Sequence, residues 1–309
     1  MQPLTIVYDV TRVCPWNCSI CCMGAQPKRG DAFSELSVER KLAVMDELAE
    51  VKKSRDVRID FSGGEVFTDM ENLKVIRRAA EVLGREKVGV SSSGYRVDDA
   101  LAAELSEMIS DCELTMDTVP GLEYRLRPVG YAHAAAHAVP HLKRHGIRVG
   151  IQTVLANSNC TSEMLADIYC WLCEHGVDQW SLLRFYPSGR GANHREEILS
   201  PETEQNAVRF IQALDGSNTD PVKPEVDFHY TIRGHKKFTE ECRCVKKSIG
   251  ILPNGDVTAC FWAVNADTGV VDPRYFLGSL RTHSLPEILE GAAARYWQND
   301  SHLCGLKAA

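Results

Sequence analysis

Leu4-Thr5-Ile6-Val7-Tyr8-Asp9 runs into a loop containing Cys14-Pro15-Trp16-Asn17-Cys18-Ser19-Ile20-Cys21-Cys22, and the way these two stretches follow one another decides the fold. The first is a short, β-rich apolar run of the kind that forms a strand in a parallel sheet. From the start to about residue 215, similar runs alternate with longer segments of helical period. That rhythm predicts an α/β protein with a parallel sheet. Strands are expected at Leu4 to Asp9, Val57 to Ser62, Val88 to Ser92, Glu113 to Asp117, Arg148 to Leu155 and Gln179 to Phe185. Helices are expected at about 37–53, 70–83, 98–110, 130–145, 161–175 and 201–214, with Ser37 and Asp98 as N-caps. Six such units close a partial (β/α)6 TIM-like barrel, whose ligands sit on the loops after the strands.

After about residue 215 the pattern changes. Ile249-Gly250-Ile251-Leu252-Pro253-Asn254-Gly255-Asp256-Val257-Thr258-Ala259-Cys260 reads as two short strands about an Asn-Gly turn. A last helix is expected from Leu285 to Tyr296, after Ser284 and opened by Pro286. The expected division is therefore 1–215 for the barrel and 216–309 for a smaller C-terminal region.

Thirty-five Lys and Arg against 42 Asp and Glu give a net charge of −7, which argues against a partner held by its phosphate backbone, so no nucleic acid is expected. No segment approaches the roughly 18 uninterrupted apolar residues of a membrane span, and the N-terminus lacks an export signal. No membrane partner and a cytoplasmic location are expected. Twelve cysteines in such a chain point to metal ligation or redox chemistry rather than to a disulfide scaffold.

Cys14, Cys18 and Cys21 stand at spacings of four and three in one loop. Iron-sulfur clusters take thiolate ligands, usually four, so three protein cysteines leave one iron open to an external ligand. A zinc knuckle would want a fourth protein ligand. The adjacent Cys22 also permits a register through Cys14, Cys18 and Cys22. The second strand ends in Gly63-Gly64-Glu65, where glycines allow close backbone approach to a ligand and Glu65 offers an acceptor for an ammonium.

The cysteine loop, taken together with Gly63-Gly64-Glu65, resembles the radical S-adenosylmethionine superfamily, whose motif is CX3CX2C with an aromatic or apolar residue, here Ile20, before the last cysteine. The resemblance covers about residues 4–215. It implies that Cys14, Cys18 and Cys21 hold a 4Fe-4S cluster, whose open iron chelates the amino and carboxylate groups of S-adenosylmethionine. It implies that Gly63, Gly64 and Glu65 hold the methionyl amino group. Ser92 and Ser93 stand where the family often has Thr-Asn-Gly, and their hydroxyls either bond the ribose or cap the loop. Thr115 takes the place of a hydroxyl residue on strand four, and Arg127 that of an arginine pairing with the methionyl carboxylate through its planar fork. Gln152 matches an amide near the ribose, and Arg184 closes strand six.

Cys242, Cys244, Cys260 and Cys304 form a second set, in which ten residues separate Cys244 from Gly255 and four separate Gly255 from Cys260. This resembles CX9-15GX4C, the opening of the auxiliary-cluster region in the SPASM and Twitch groups, and implies one auxiliary 4Fe-4S cluster. Cys242 is only two residues from Cys244, which leaves the fourth ligand open. Cys170 and Cys173 read as helix packing, and His133, His137, His141 and His145 as one helix surface.

The resemblance implies an enzyme that cleaves S-adenosylmethionine reductively to a 5′-deoxyadenosyl radical, which removes a hydrogen from substrate, with a flavodoxin- or ferredoxin-type electron donor. With no domain ahead of strand one to grip a leader peptide, the expected substrate is a small natural-product intermediate such as a sugar or nucleoside, undergoing oxidation or rearrangement. A ribosomal peptide that is crosslinked or oxidised is the alternative. The cyclase of molybdenum-cofactor synthesis fits less well, because the chain ends Gly305-Leu306-Lys307-Ala308-Ala309 instead of Gly-Gly. A non-enzymatic iron-sulfur redox sensor or electron carrier is the reading from another class.

Overall fold

Alternating side chains build the sheet. In a computed structural model, which describes residues 2–28, 34–122, 124–239, 241–265, 270–299 and 304, the six expected βα units are all present. They are β1 (Gln2–Asp9) and α1 (Val38–Val51), β2 (Arg55–Ser62) and α2 (Asn72–Leu83), β3 (Val88–Ser92) and α3 (Asp99–Ser106). β4 (Asp111–Thr115) and α4 (Tyr131–Arg144), β5 (Arg148–Leu155) and α5 (Ser162–Glu174), and β6 (Gln179–Arg184) and α6 (Pro201–Ser217) follow. Ser37 and Asp98 cap α1 and α3 as expected, their side chains accepting from the N–H groups of Arg40 and Leu101.

Three more strands and a short one complete the sheet: β7 (Glu225–Phe228), β8 (Ser248–Ile251), β9 (Asp256–Thr258) and β10 (Phe276–Ser279). The strand order is β10-β9-β8-β1-β2-β3-β4-β5-β6-β7. Every pairing from β8 to β7 is parallel, and β8–β9 and β9–β10 are antiparallel. The expected hairpin about Asn254-Gly255 is there, but it does not stand apart. It extends the barrel sheet from the β1 edge, with Ile6 in register with Ile249. The expected single last helix is two, α7 (Leu285–Glu290) and α8 (Ala292–Asn299), because Gly291 between them is extended at φ −66°, ψ 162°.

One face of the sheet is the core. Leu4, Ile6 and Tyr8 of β1 and Val57, Ile59 and Phe61 of β2 are buried with Val44, Met45 and Leu48 of α1 and Val75, Ile76 and Ala79 of α2. The alternate residues of β2, Asp56, Arg58, Asp60 and Ser62, are polar. Arg58 bonds Asp111 at 2.7 Å and 2.9 Å and pairs with Asp60 at 2.7 Å. This charge bridge crosses β3 at Gly89, where a Cβ would lie 2.3 Å from the Arg58 guanidinium. Above it Gln152 donates to Glu113 at 2.8 Å. Burial pushes the Glu113 carboxyl up to about 7, the Ser181 hydroxyl pulling the other way.

Candidate functional site

The chain leaving β1 turns into a closed loop before the cysteines begin. Cys14 N–H donates to the Gln26 carbonyl at 2.8 Å, and Gln26 N–H returns a bond to Arg12 at 3.0 Å. Arg190, beyond β6, clamps the loop from above, its Nε donating to the Cys18 carbonyl at 2.8 Å and its Nη1 to the Ala25 carbonyl at 2.6 Å. Cys14 and Cys18 are buried and Cys21 is half-buried. Burial pushes the Cys14 thiol up to about 12 against a bond from the Trp16 N–H, with the charges of Glu65, Cys18 and Cys21 adding to the rise. Burial raises Cys18 as well, opposed by the Arg127 guanidinium that donates to its sulfur. Cys22 turns away to line a cavity with Asp9 and Phe261.

Gly63 and Gly64 lie against the backbone of the cysteine loop. Gly64 N–H donates to Thr11 at 2.7 Å and Glu65 N–H to Val13 at 2.9 Å. A Cβ on Gly63, at φ +135°, would stand 2.5 Å from the Thr11 carbonyl, and one on Gly64 would stand 2.4 Å from that of Val13. Backbone lies on backbone here, and only glycine permits it. The fully buried Glu65 carboxylate is also engaged within the protein. It accepts from Ser92 Oγ at 2.9 Å, Ser93 N–H at 2.8 Å, Ser93 Oγ at 2.5 Å and Phe67 N–H at 3.3 Å. A carboxylate has about four acceptor sites. Ser93 Oγ also accepts from Trp16 Nε1 at 2.8 Å. Glu65, Ser92 and Ser93 thus brace the ends of β2 and β3 against the cysteine loop.

Arg127 Nε donates to the buried Asp117 at 2.6 Å, and its guanidinium lies 4.8 Å from the centre of the Tyr131 ring. Burial opposes its charge, but Asp117, Tyr131 and Cys18 outweigh burial and hold its pKa well up. Thr115 bonds the Tyr131 hydroxyl, which puts it in the same group. Trp16 packs on Tyr131 at 5.4 Å, so the loop, β4 and α4 meet at one point. Gln152 sits apart, deeper in the barrel on Glu113. Arg184 is buried with its guanidinium 5.6 Å from the Tyr186 ring centre.

The second set is brought together from separate segments. The Cys244 thiol lies between those of Cys242 and Cys260 and bonds both, which raises it, while the bond from Cys244 lowers Cys260. The two-residue spacing of Cys242 and Cys244 does not keep their thiols apart, and Val245 follows in the left-handed region at φ 59°. Tyr230 touches the group, its phenol raised by burial and then by the charges of Cys244, Cys304, Cys260 and Cys242. Arg243 lies over the Tyr230 ring at 4.1 Å. Among the described residues, no three His, Cys, Asp or Glu side chains are placed to hold a single metal ion. Cys170 and Cys173 lie on α5. The His137 and His141 rings meet edge to face on α4, where His141 and His145 face Asp99.

Trp16, Asp117 and Arg190 were not legible as site residues. Trp16 stands inside the motif spacing, and Arg190 follows a Ser188-Gly189 turn after β6, a position where the fold collects ligands.

Two buried thiols and a third beside them, with an arginine at one sulfur, stand together in the loop after β1. The model of the Radical SAM superfamily matches residues 8–163, half of the chain, and the chain belongs to that superfamily. A second model, the SPASM iron-sulfur cluster-binding domain, matches residues 242–306. The protein is a radical S-adenosylmethionine enzyme whose cofactors are a 4Fe-4S cluster, S-adenosylmethionine and auxiliary iron-sulfur. No curated protein sequence matches the chain.

Solved structures share the fold. Streptococcus suis SuiB bound to S-adenosylmethionine is 13% identical, with 96% of this chain and 68% of that one covered at a TM-score of 0.72. Native anSMEcpe with bound AdoMet is 15% identical over 96% of this chain and 83% of that one, at 0.67. Methylornithine synthase (PylB) is 17% identical over 68% and 62%, at 0.53.

Proposed function

We propose that Cys14, Cys18 and Cys21 hold the catalytic cluster, that Cys242, Cys244, Cys260 and Cys304 hold one auxiliary 4Fe-4S cluster, and that the chain removes hydrogen from a substrate seated between them. The observation that carries this reading is the convergence of the three loop cysteines beside Arg127 at the barrel mouth. When bound, the cluster and S-adenosylmethionine supply a 5′-deoxyadenosyl radical. The protein's share is to hold the loop rigid through Glu65, Ser93 and Trp16, to place Arg127 and the Gly63-Gly64 backbone at the cofactor, and to keep water out. Because Glu65 is engaged by Ser92 and Ser93, the carbonyls of the turn are the better acceptors for the methionyl ammonium.

Residues 1–215 then serve radical generation and residues 216–309 the auxiliary cluster, with electrons entering from a flavodoxin- or ferredoxin-type donor in the cytoplasm. Among the described residues, no helix is long and apolar enough to cross a membrane. The substrate is a natural-product intermediate that is oxidised or rearranged. A cavity lined by Asp9, Arg12, Met23 and Phe261 between the cysteine loop and the β8–β9 hairpin offers a place for a small molecule or one side chain. A peptide substrate is the second reading, favoured because fold neighbours include SuiB bound to precursor peptide SuiA and anSMEcpe bound to the Cp18Cys peptide. The test is 5′-deoxyadenosine formation by the anaerobically reconstituted protein with dithionite. Its appearance supports the reading, and a filled cluster with no cleavage overturns it.

A further inference from the structure

The cavity between the cysteine loop and the β8–β9 hairpin has one feature that the cluster chemistry does not use. Asp9, the last residue of β1, lines it and is fully buried. Among the described residues, neither of its carboxyl oxygens makes a hydrogen bond of normal geometry. Burial drives its pKa well up, although Arg12 and the Ser62 hydroxyl beside it favour the charged form. Arg12 and Glu35 of the cavity wall are held within the protein. Arg12 donates to the Met23 carbonyl at 2.7 Å, and Glu35 accepts from Thr11 Oγ1 at 2.8 Å and the Arg12 N–H at 2.9 Å. The rest of the lining is largely apolar, from Met23, Leu252, Pro253, Phe261 and Val264.

An unsatisfied buried carboxyl is costly, and the cost is removed when a ligand brings a donor to it. A cationic donor does most, because a charge-assisted bond is stronger than a neutral one and the ion pair is shielded from water. The apolar walls suit the stem that carries the cation. We propose that this cavity is the substrate pocket and that Asp9 anchors an ammonium group carried on a short apolar stem. The pocket's place in catalysis rests on the function proposed above, but the recognition of an amine has a test of its own.

The test is titration of the reconstituted protein, with S-adenosylmethionine bound, by n-pentylammonium and by 1-pentanol at neutral pH, followed by NMR. Wild type is expected to prefer pentylammonium by about tenfold or more. Asp9→Asn loses that preference, and Val264→Trp, which fills the cavity, loses both ligands. Equal binding of amine and alcohol by wild type, which needs no variant, overturns the proposal, as does an undiminished preference in Asp9→Asn. One further ligand separates the sources of the amine. Binding of Nα-acetyl-lysine methylamide tighter than pentylammonium supports a peptide side chain, and the reverse supports a free small amine. Assaying the same wild-type sample for 5′-deoxyadenosine separates the claims: cleavage without amine preference sinks the pocket alone, and preference without cleavage sinks the enzymatic reading alone.

Discussion

Cys14, Cys18 and Cys21 lie in one loop that is tied to the ends of β2, β3 and β6, whereas Cys242 and Cys244 on one side and Cys260 on the other come from two segments and meet one another directly. In the first region the surrounding backbone sets the geometry. Gly63-Gly64 is laid against residues 11–13, and Trp16, Ser93 and Glu65 form one hydrogen-bonded chain. In the second region the thiols bond each other, on a turn that places the buried, β-branched Val245 at positive φ. A preformed site binds its cofactor without reorganising, while an assembled one draws part of its order from the cofactor.

Predictions follow from that contrast. Cys14→Ala should lose about four irons, one 4Fe-4S cluster, and bring 5′-deoxyadenosine to background. Cys244→Ala should also lose about four irons but lower the 5′-deoxyadenosine yield less, as measured by iron analysis and chromatography. Equal losses of activity would break the division between the regions. Glu65→Ala strands three or four buried donors and should cost about 2–4 kcal/mol of stability in denaturant titration, with Glu65→Gln recovering part of it. No change would mean that the first loop is not braced this way.

The smallest effect concerns the barrel floor. Glu113 keeps its proton in the folded protein up to about pH 7 and loses it near 4.5 when unfolded, so the folded state binds more protons in between. Stability from this group is therefore full below about pH 4.5 and is lost as pH rises to about 7. Glu113→Gln should flatten that fall, by of order 1–3 kcal/mol, in unfolding curves across the same range. An unchanged slope would assign the pH dependence elsewhere.

The six βα units and their caps were legible because strand and helix periods differ and because Ser37 and Asp98 carry their own signals. β7 was missed because Glu225-Val226-Asp227-Phe228 is short and sits on the sheet edge with little apolar signal. The join of the hairpin to β1 is a long-range pairing, which local sequence does not encode. In the candidate site, Cys14, Cys18 and Cys21 stood out by their spacing, and loop capping was one of the two readings of Ser92 and Ser93. The bracing by Glu65 was not legible, since a residue expected to face a ligand and one that braces the loop behind it look the same in sequence. Asp9 could not be read as a site at all, because its isolation is visible only once the strands around it are placed.

The most direct measurement is electron paramagnetic resonance of the reduced, reconstituted protein with and without S-adenosylmethionine, alongside an iron count. The account predicts about eight irons per chain and two signals, one of which changes when S-adenosylmethionine is added and is missing in Cys14→Ala. Zinc in place of iron, or a spectrum indifferent to S-adenosylmethionine, would contradict it.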